Sequence, residues 1–254
     1  MDNIVYAIFI CLMTPLLLSL ALLRGKARLI IGYLLIGSTI CLAASELNGV
    51  LYPLFENMTS FSTTISPIIE EIFKALPVLF FAFMVSDNRT TLVQISFAVG
   101  LGFAVMENAI VLVQNLSDVN ILWALIRGLG AGLMHGVCTV TVGIGMSLVH
   151  KKKKLFVCGS MALLFMAITY HAIYNSIVTS DYKYFGFALP FVTYIPINIV
   201  FRKKAKERRL KMAAKVKQTF GNDTEHEMDS GEHDADGESD GQENNNDGDT
   251  GRLG

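Results

Sequence analysis

Charge is what this sequence has least of. Of its 254 residues only 17% are Asp, Glu, Lys or Arg, while 52% are hydrophobic, and the mean hydropathy is +0.46. A soluble domain of this length cannot withdraw so much apolar side chain from water, so a membrane protein is the class to test first. Cysteine is sparse too. Cys11, Cys41, Cys138 and Cys158 show no Cys-x-x-Cys spacing and lie in or beside apolar runs, which argues against a disulfide framework or a zinc knuckle and leaves small apolar packers. The opening Met1-Asp2-Asn3 lacks the basic stretch of a secretory signal, and no small-residue cleavage site follows the first apolar run. That run is therefore expected to be a retained helix.

Several catalytic signatures are missing as well. There is no Gly-x-Ser-x-Gly elbow. There is no His-Glu-x-x-His, because His135 is followed by Gly136 and Val137, and no aspartate falls inside an apolar run to build an aspartyl dyad. No duplicated motif with interrupted helices suggests a transporter built from repeats.

What is present is a series of apolar runs, each near the roughly 20 residues that cross a bilayer core. Spans are expected near residues 4–23, 29–47, 66–85, 92–114, 127–149, 155–179 and 185–201, an all-α polytopic bundle of about seven helices. Arg24, Lys26 and Arg28 follow the first run, Arg89 the third, Lys151 to Lys154 the fifth, and Arg202, Lys203 and Lys204 the seventh, whereas the opposite loops hold only Lys183. Since cytoplasmic loops carry the Lys and Arg excess, the N-terminus is expected outside and the C-terminus in the cytoplasm. Segment 48–65 is too short and polar to span and is expected as an outer connection, either a plain loop or a stretch lying along the interface.

Three domains follow from this pattern. Residues 1–201 form the transmembrane domain, and 202–220 a basic juxtamembrane segment suited either to the anionic leaflet or to fixing topology. Residues 221–254 are an acidic tail with too little apolar surface to fold. The location is a cell membrane, multi-pass, with the lipid bilayer as a partner and no nucleic acid expected.

Ionisable side chains are costly within a bilayer, so each one is a functional candidate. They are Glu70, Glu71 and Lys74 on the third span, Glu107 on the fourth, His135 on the fifth, and His171 with the polar Asn175 on the sixth. At about 1.5 Å per residue from the expected helix starts, all four spans bring their polar groups to one level in the outer third. Spacing puts Glu70 and Lys74 on one face, Gly100, Phe103 and Glu107 on another, and His171 with Asn175 on a third. Gly128, Gly132 and Gly136 form a small-residue stripe on the side of His135, which favours close helix approach. The bland readings are an internal Glu70–Lys74 ion pair, packing histidines and an Asn175 that serves as helix glue. Arg127 and Glu46 lie nearer the span ends and need less explanation.

Glu70-Glu71-x-x-Lys74, Gly102-Phe103-x-x-x-Glu107-Asn108, His135 and His171-x-x-x-Asn175, in that order, resemble the PrsW family of intramembrane proteases, related to the CAAX-processing and bacteriocin-processing membrane proteases. The resemblance covers the third to sixth spans. Its relatives of the CAAX type usually end the second motif in His, so Glu107 favours the PrsW branch.

The resemblance implies that Glu70, Glu71 and His171 are essential. It also implies a single-pass substrate of the anti-sigma-factor type, cut on its extracytoplasmic side. Two mechanisms suit these residues. In one, Glu107, His135 and His171 bind Zn²⁺ and Glu70 or Glu71 deprotonates a water. In the other, a glutamate activates water without metal while the histidines and Asn175 stabilise the oxyanion. The competing functions are a non-catalytic membrane scaffold subunit and an ion- or proton-coupled transporter.

Overall fold

A computed structural model describes residues 2–116, 120–147 and 153–186, and parts of the stretch 188–214. Among the described residues there is no strand. The main helices are α1 (Asp2–Leu22), α2 (Gly25–Leu51), the single turn α3 (Met58–Ser60), α4 (Ser66–Met84), α5 (Arg89–Gln114), α6 (Ile121–Met146) and α7 (Lys153–Val178). Residues Met1–Ile197 form one compact unit. In the second unit, the described residues 202–203, 206–207 and 209–214 are helical and exposed. The expected acidic tail, 221–254, lies outside the described residues.

Short polar residues set where the helices begin. Asn88 caps α5 by accepting from the backbone N–H of Thr90 and Thr91, and Asn120 caps α6 by accepting from Trp123, satisfying donors that an open helix end leaves unpaired. Gly25 has φ +60°, a left-handed conformation that glycine takes without steric penalty, and it permits the tight turn from α1 into α2.

Five described stretches are long and apolar enough to cross a membrane: Ile4–Leu22, Gly25–Leu54, Arg89–Gln114, Ile121–Met146 and Phe156–Val178. Two of the seven expected spans are absent from that set. The third is the helix α4, of similar length, whose Glu70, Glu71 and Lys74 make it too charged to qualify by composition. The seventh, 185–201, falls only in part on described residues. Segment 48–65 is not a plain loop: α2 continues to Leu51, followed by a 3-10 turn at Tyr52–Leu54, α3 and a π-helical turn at Phe61–Ile65 that runs into α4.

The core lies between α2, α4, α5, α6 and α7. Val78 and Phe81 of α4 meet Leu92, Ile95 and Val99 of α5, Met134, Cys138 and Val142 of α6, and Tyr174 of α7. A second cluster, Cys41, Ala44, Ile69, Phe103 and Met106, closes one side of the polar residues. The opposite face of α4 exposes Ile68, Ile72, Leu76, Phe80 and Phe83, an apolar stripe at helical spacing of the kind that faces lipid in a membrane bundle.

Close approach of the helices depends on glycines, though only partly on the expected stripe. A Cβ at Gly37 would strike the Val99 backbone, one at Gly102 the Leu34 backbone, and one at Gly100 the backbone of His135 and Gly136. Gly136 packs against the Phe97 ring, whereas Gly128 has open space and Gly132 only a distant Leu101 methyl. Contact between α5 and α6 is therefore close at Gly100, at Gly136 and, beyond the stripe, at Gly143 against Ser96, and the N-terminal part of the stripe faces little.

Candidate active site in the bundle

The periodicity of α4 divides it into two faces. Glu71, Lys74, Val78 and Phe81 recur every three or four residues and are buried, with Glu71 and Lys74 at 0% exposure. Two charges on that face cannot be left without partners, because an uncompensated buried ion is strongly unfavourable. The neighbouring helices supply them.

Lys74 Nζ donates to Glu71 Oε1 at 2.6 Å and to His135 Nδ1 at 2.8 Å, and lies 4.6 Å from the centre of the Phe103 ring. The bland alternative, a Glu70–Lys74 ion pair, does not form: Lys74 pairs with Glu71, three residues away. Glu71 Oε1 also accepts from His171 Nδ1 at 2.9 Å. Glu70 turns instead to Ser66, whose hydroxyl donates to its Oε1 at 2.6 Å. On the far side, His135 Nε2 meets Glu107 Oε2, and Glu107 Oε1 accepts from the Arg127 guanidinium at 2.9 Å.

Donor inventory fixes the tautomers. An ammonium has no acceptor, so His135 accepts at Nδ1 and donates from Nε2 to Glu107. A carboxylate only accepts, so His171 carries its hydrogen on Nδ1. Its Nε2 is left facing Glu70 Oε2 at 3.7 Å. The two imidazoles stand edge to face with centroids 4.9 Å apart. Both Glu70 Oε2 and Glu71 Oε2 are buried with no hydrogen-bond partner.

The arrangement suits a cation. Three carboxylates, Glu70, Glu71 and Glu107, share two fixed cations, Lys74 and Arg127, and Glu70 has only the Ser66 hydroxyl and the His171 imidazole. Ligand atoms of Glu70, His135 and His171 all lie within 4.8 Å of one another, and carboxylate with imidazole is a donor set for zinc and similar ions. This group differs from the expected Glu107, His135 and His171 by one member. Glu107 is already occupied by Arg127 and His135, and charge balance leaves Glu70 as the carboxylate without a counter-ion. His135 joins such a set only by releasing Lys74 or Glu107.

All seven expected site residues lie in the bundle, but they do not all converge. Six, Glu70, Glu71, Lys74, Glu107, His135 and His171, form one connected network. Asn175 does not join it: its Nδ2 donates to the Ser62 carbonyl at 2.9 Å, tying α7 to the π-helical turn before α4.

The shared depth follows a different route from the one expected. Arg127 does not begin its helix, since α6 starts at Ile121, so His135 is about 21 Å along it rather than about 12 Å. Glu107 and His171 each lie about 10 Å before the ends of their helices. The extra turns of α6 therefore extend beyond the ends of α5 and α7.

Sequence reasoning also passed over Arg127 as a near-terminal charge, and did not single out Ser66 or Asn48, whose Nδ2 donates to Ser66 Oγ at 2.8 Å. Arg127 carried a usable signal, a basic residue within an apolar run. Ser66 and Asn48 carried none, because small polar residues are common near helix ends.

A family model described as PrsW family intramembrane metalloprotease matches residues 14–201, from within α1 to beyond α7. No curated protein and no solved structure matches the chain.

Proposed function

Because the chain belongs to the PrsW family of intramembrane metalloproteases and is a multi-pass membrane peptidase, we propose that it cuts a single-pass membrane protein of the anti-sigma-factor type near the extracytoplasmic side. The observation that carries the mechanistic reading is the pair of unpartnered, buried carboxylate oxygens, Glu70 Oε2 and Glu71 Oε2, beside His171. The bias of Lys and Arg to one set of loops supports the orientation, and with it the side of cleavage.

In this reading Glu70 and His171, with His135, hold the metal, which when bound supplies Lewis acidity toward a carbonyl and toward water. Glu71 orients His171 through the Nδ1 hydrogen bond, the carboxylate–histidine arrangement that fixes ring direction and tautomer. Glu71 Oε1 is held by Lys74 and His171, so the carboxylate cannot turn, and its free Oε2 accepts a proton from the attacking water. The water oxygen bonds to the carbonyl carbon, and returning that proton to the amide nitrogen as the C–N bond breaks completes hydrolysis. The Lys74 ammonium offsets negative charge as it develops on the carbonyl oxygen. Glu107, clamped by Arg127, fixes His135. Asn175 holds the segment leading into α4 and takes no direct part. Residues 1–201 make up the protease domain, followed by the basic segment and the acidic tail.

The test is co-expression with epitope-tagged single-pass membrane proteins, comparing the wild type with Glu71→Gln and His171→Ala. The wild type is expected to release a shortened tagged fragment that both variants fail to produce. Equal cleavage by all three would overturn the assignment.

A further inference from the structure

We propose that Asn48 and Ser66 form a positioning relay that presents one chosen oxygen of Glu70, Oε2, to the centre. This rests on the reading above that Glu70 acts there. Glu70 is the one carboxylate of the site with no Lys or Arg partner, and a carboxylate on a flexible side chain has two equivalent oxygens that exchange by rotation. Something must choose between them. Ser66 lies one turn earlier on α4 and donates its single hydroxyl hydrogen to Oε1 at 2.6 Å. That hydroxyl in turn accepts from Asn48 Nδ2 of α2 at 2.8 Å.

The direction of donation is set at every step. The Asn48 amide nitrogen can only donate, so it directs the Ser66 hydrogen away from itself and onto Glu70. Asn48 Oδ1 is buried with no partner, so the amide's hydrogen bonding here goes through its nitrogen to Ser66. At the other end of the chain, Glu70 Oε2 is buried and unpaired, 3.7 Å from His171 Nε2. The relay therefore links α2 to the reacting side of α4 without touching the centre itself. Ser66 and Asn48 are positioning residues, and their effect passes through Glu70.

The same bonds would also hold α2 against α4, and the experiment separates the two roles. Cleavage of a tagged single-pass substrate accepted by the wild type is measured with full-length protein reconstituted in vesicles. The variants are Ser66→Ala, Ser66→Thr, Asn48→Asp, Glu70→Gln and the double variant Ser66→Ala/Glu70→Gln.

A positioning relay lowers kcat by roughly 10- to 100-fold in Ser66→Ala, the usual effect of losing an outer-shell partner, and leaves KM within about twofold. Ser66→Thr, which keeps the hydroxyl, restores most of the rate. Asn48→Asp keeps the shape but replaces the donor with an acceptor that competes for the Ser66 hydrogen, so it also lowers kcat. The double variant is no slower than Glu70→Gln alone, because Ser66 has nothing left to act through. Wild-type kcat in Ser66→Ala and Asn48→Asp beside an inactive Glu70→Gln overturns the relay and leaves the proposed function standing. Wild-type cleavage by Glu70→Gln removes the role of Glu70 and the relay together.

Discussion

Arg127, nearer a span end by sequence and so less in need of explanation there, lies about two turns into α6, and its guanidinium meets Glu107 on the neighbouring helix. Among the ionisable members of the network, Glu107 and Arg127 are the exposed ones, at 24% and 21% of their side-chain surface, against 9% or less for Glu70, Glu71, Lys74, His135 and His171. The network therefore reaches the surface of the bundle at this pair. Arg127 neutralises Glu107 and so keeps it as the acceptor that sets the His135 tautomer. Arg127→Gln removes the charge and the fork that holds the carboxylate, and cleavage is expected to fall by roughly 10- to 100-fold. Arg127→Lys keeps the charge without the planar fork and should recover only part of it. Wild-type turnover in Arg127→Gln would show that Glu107 needs no clamp.

At the level of whole helices, α4 and α5 show how one periodicity serves two purposes. The α4 face with Glu71 and Lys74 continues into Val78 and Phe81, so the helix that carries the charges is anchored by the same stripe in the core. The position of α5 depends on Gly37, Gly100 and Gly102, where neighbouring backbone occupies the space of a side chain. Gly100→Ala forces α5 away from the backbone of His135, a strain of the overpacking kind worth about 1–3 kcal/mol. A lower thermal midpoint in detergent and lost cleavage are both expected. Gly128→Ala enters open space and gains up to about 1 kcal/mol of helix propensity, so its midpoint should hold or rise. Equal behaviour of the two variants would contradict the packing described for α5 and α6. The sequence pointed to a glycine stripe on α6, yet the repeat alone could not tell which of its members faces a helix and which faces open space.

For the molecule as a whole, the alternation of basic loops predicts which face each connection lies on. Substituted-cysteine labelling in intact cells with a membrane-impermeant reagent should modify Asn57→Cys, before α4, and spare Ser86→Cys, after it. Labelling of Ser86→Cys with protection of Asn57→Cys would invert the orientation, and the proposed side of cleavage with it.

Length and composition were enough for an all-helical membrane protein, for five helices whose bounds agree with the expected runs to within four residues and a sixth, α6, that begins six residues early, and for the set of ionisable residues worth examining. Those properties depend on apolar run length and on the cost of charge in a bilayer, and both can be read along one dimension. Partnership could not be read that way. Glu71 rather than Glu70 takes Lys74, Glu70 rather than Glu107 lacks a counter-ion, Asn175 turns to Ser62, and Arg127 with Ser66 and Asn48 completes the network. Helical spacing gives the face a side chain starts from, but which partner it meets depends on the rotation and axial offset of the neighbouring helix. Those are set by backbone contacts at Gly37, Gly100 and Gly102 and by where α6 begins, and only the packed bundle determines them.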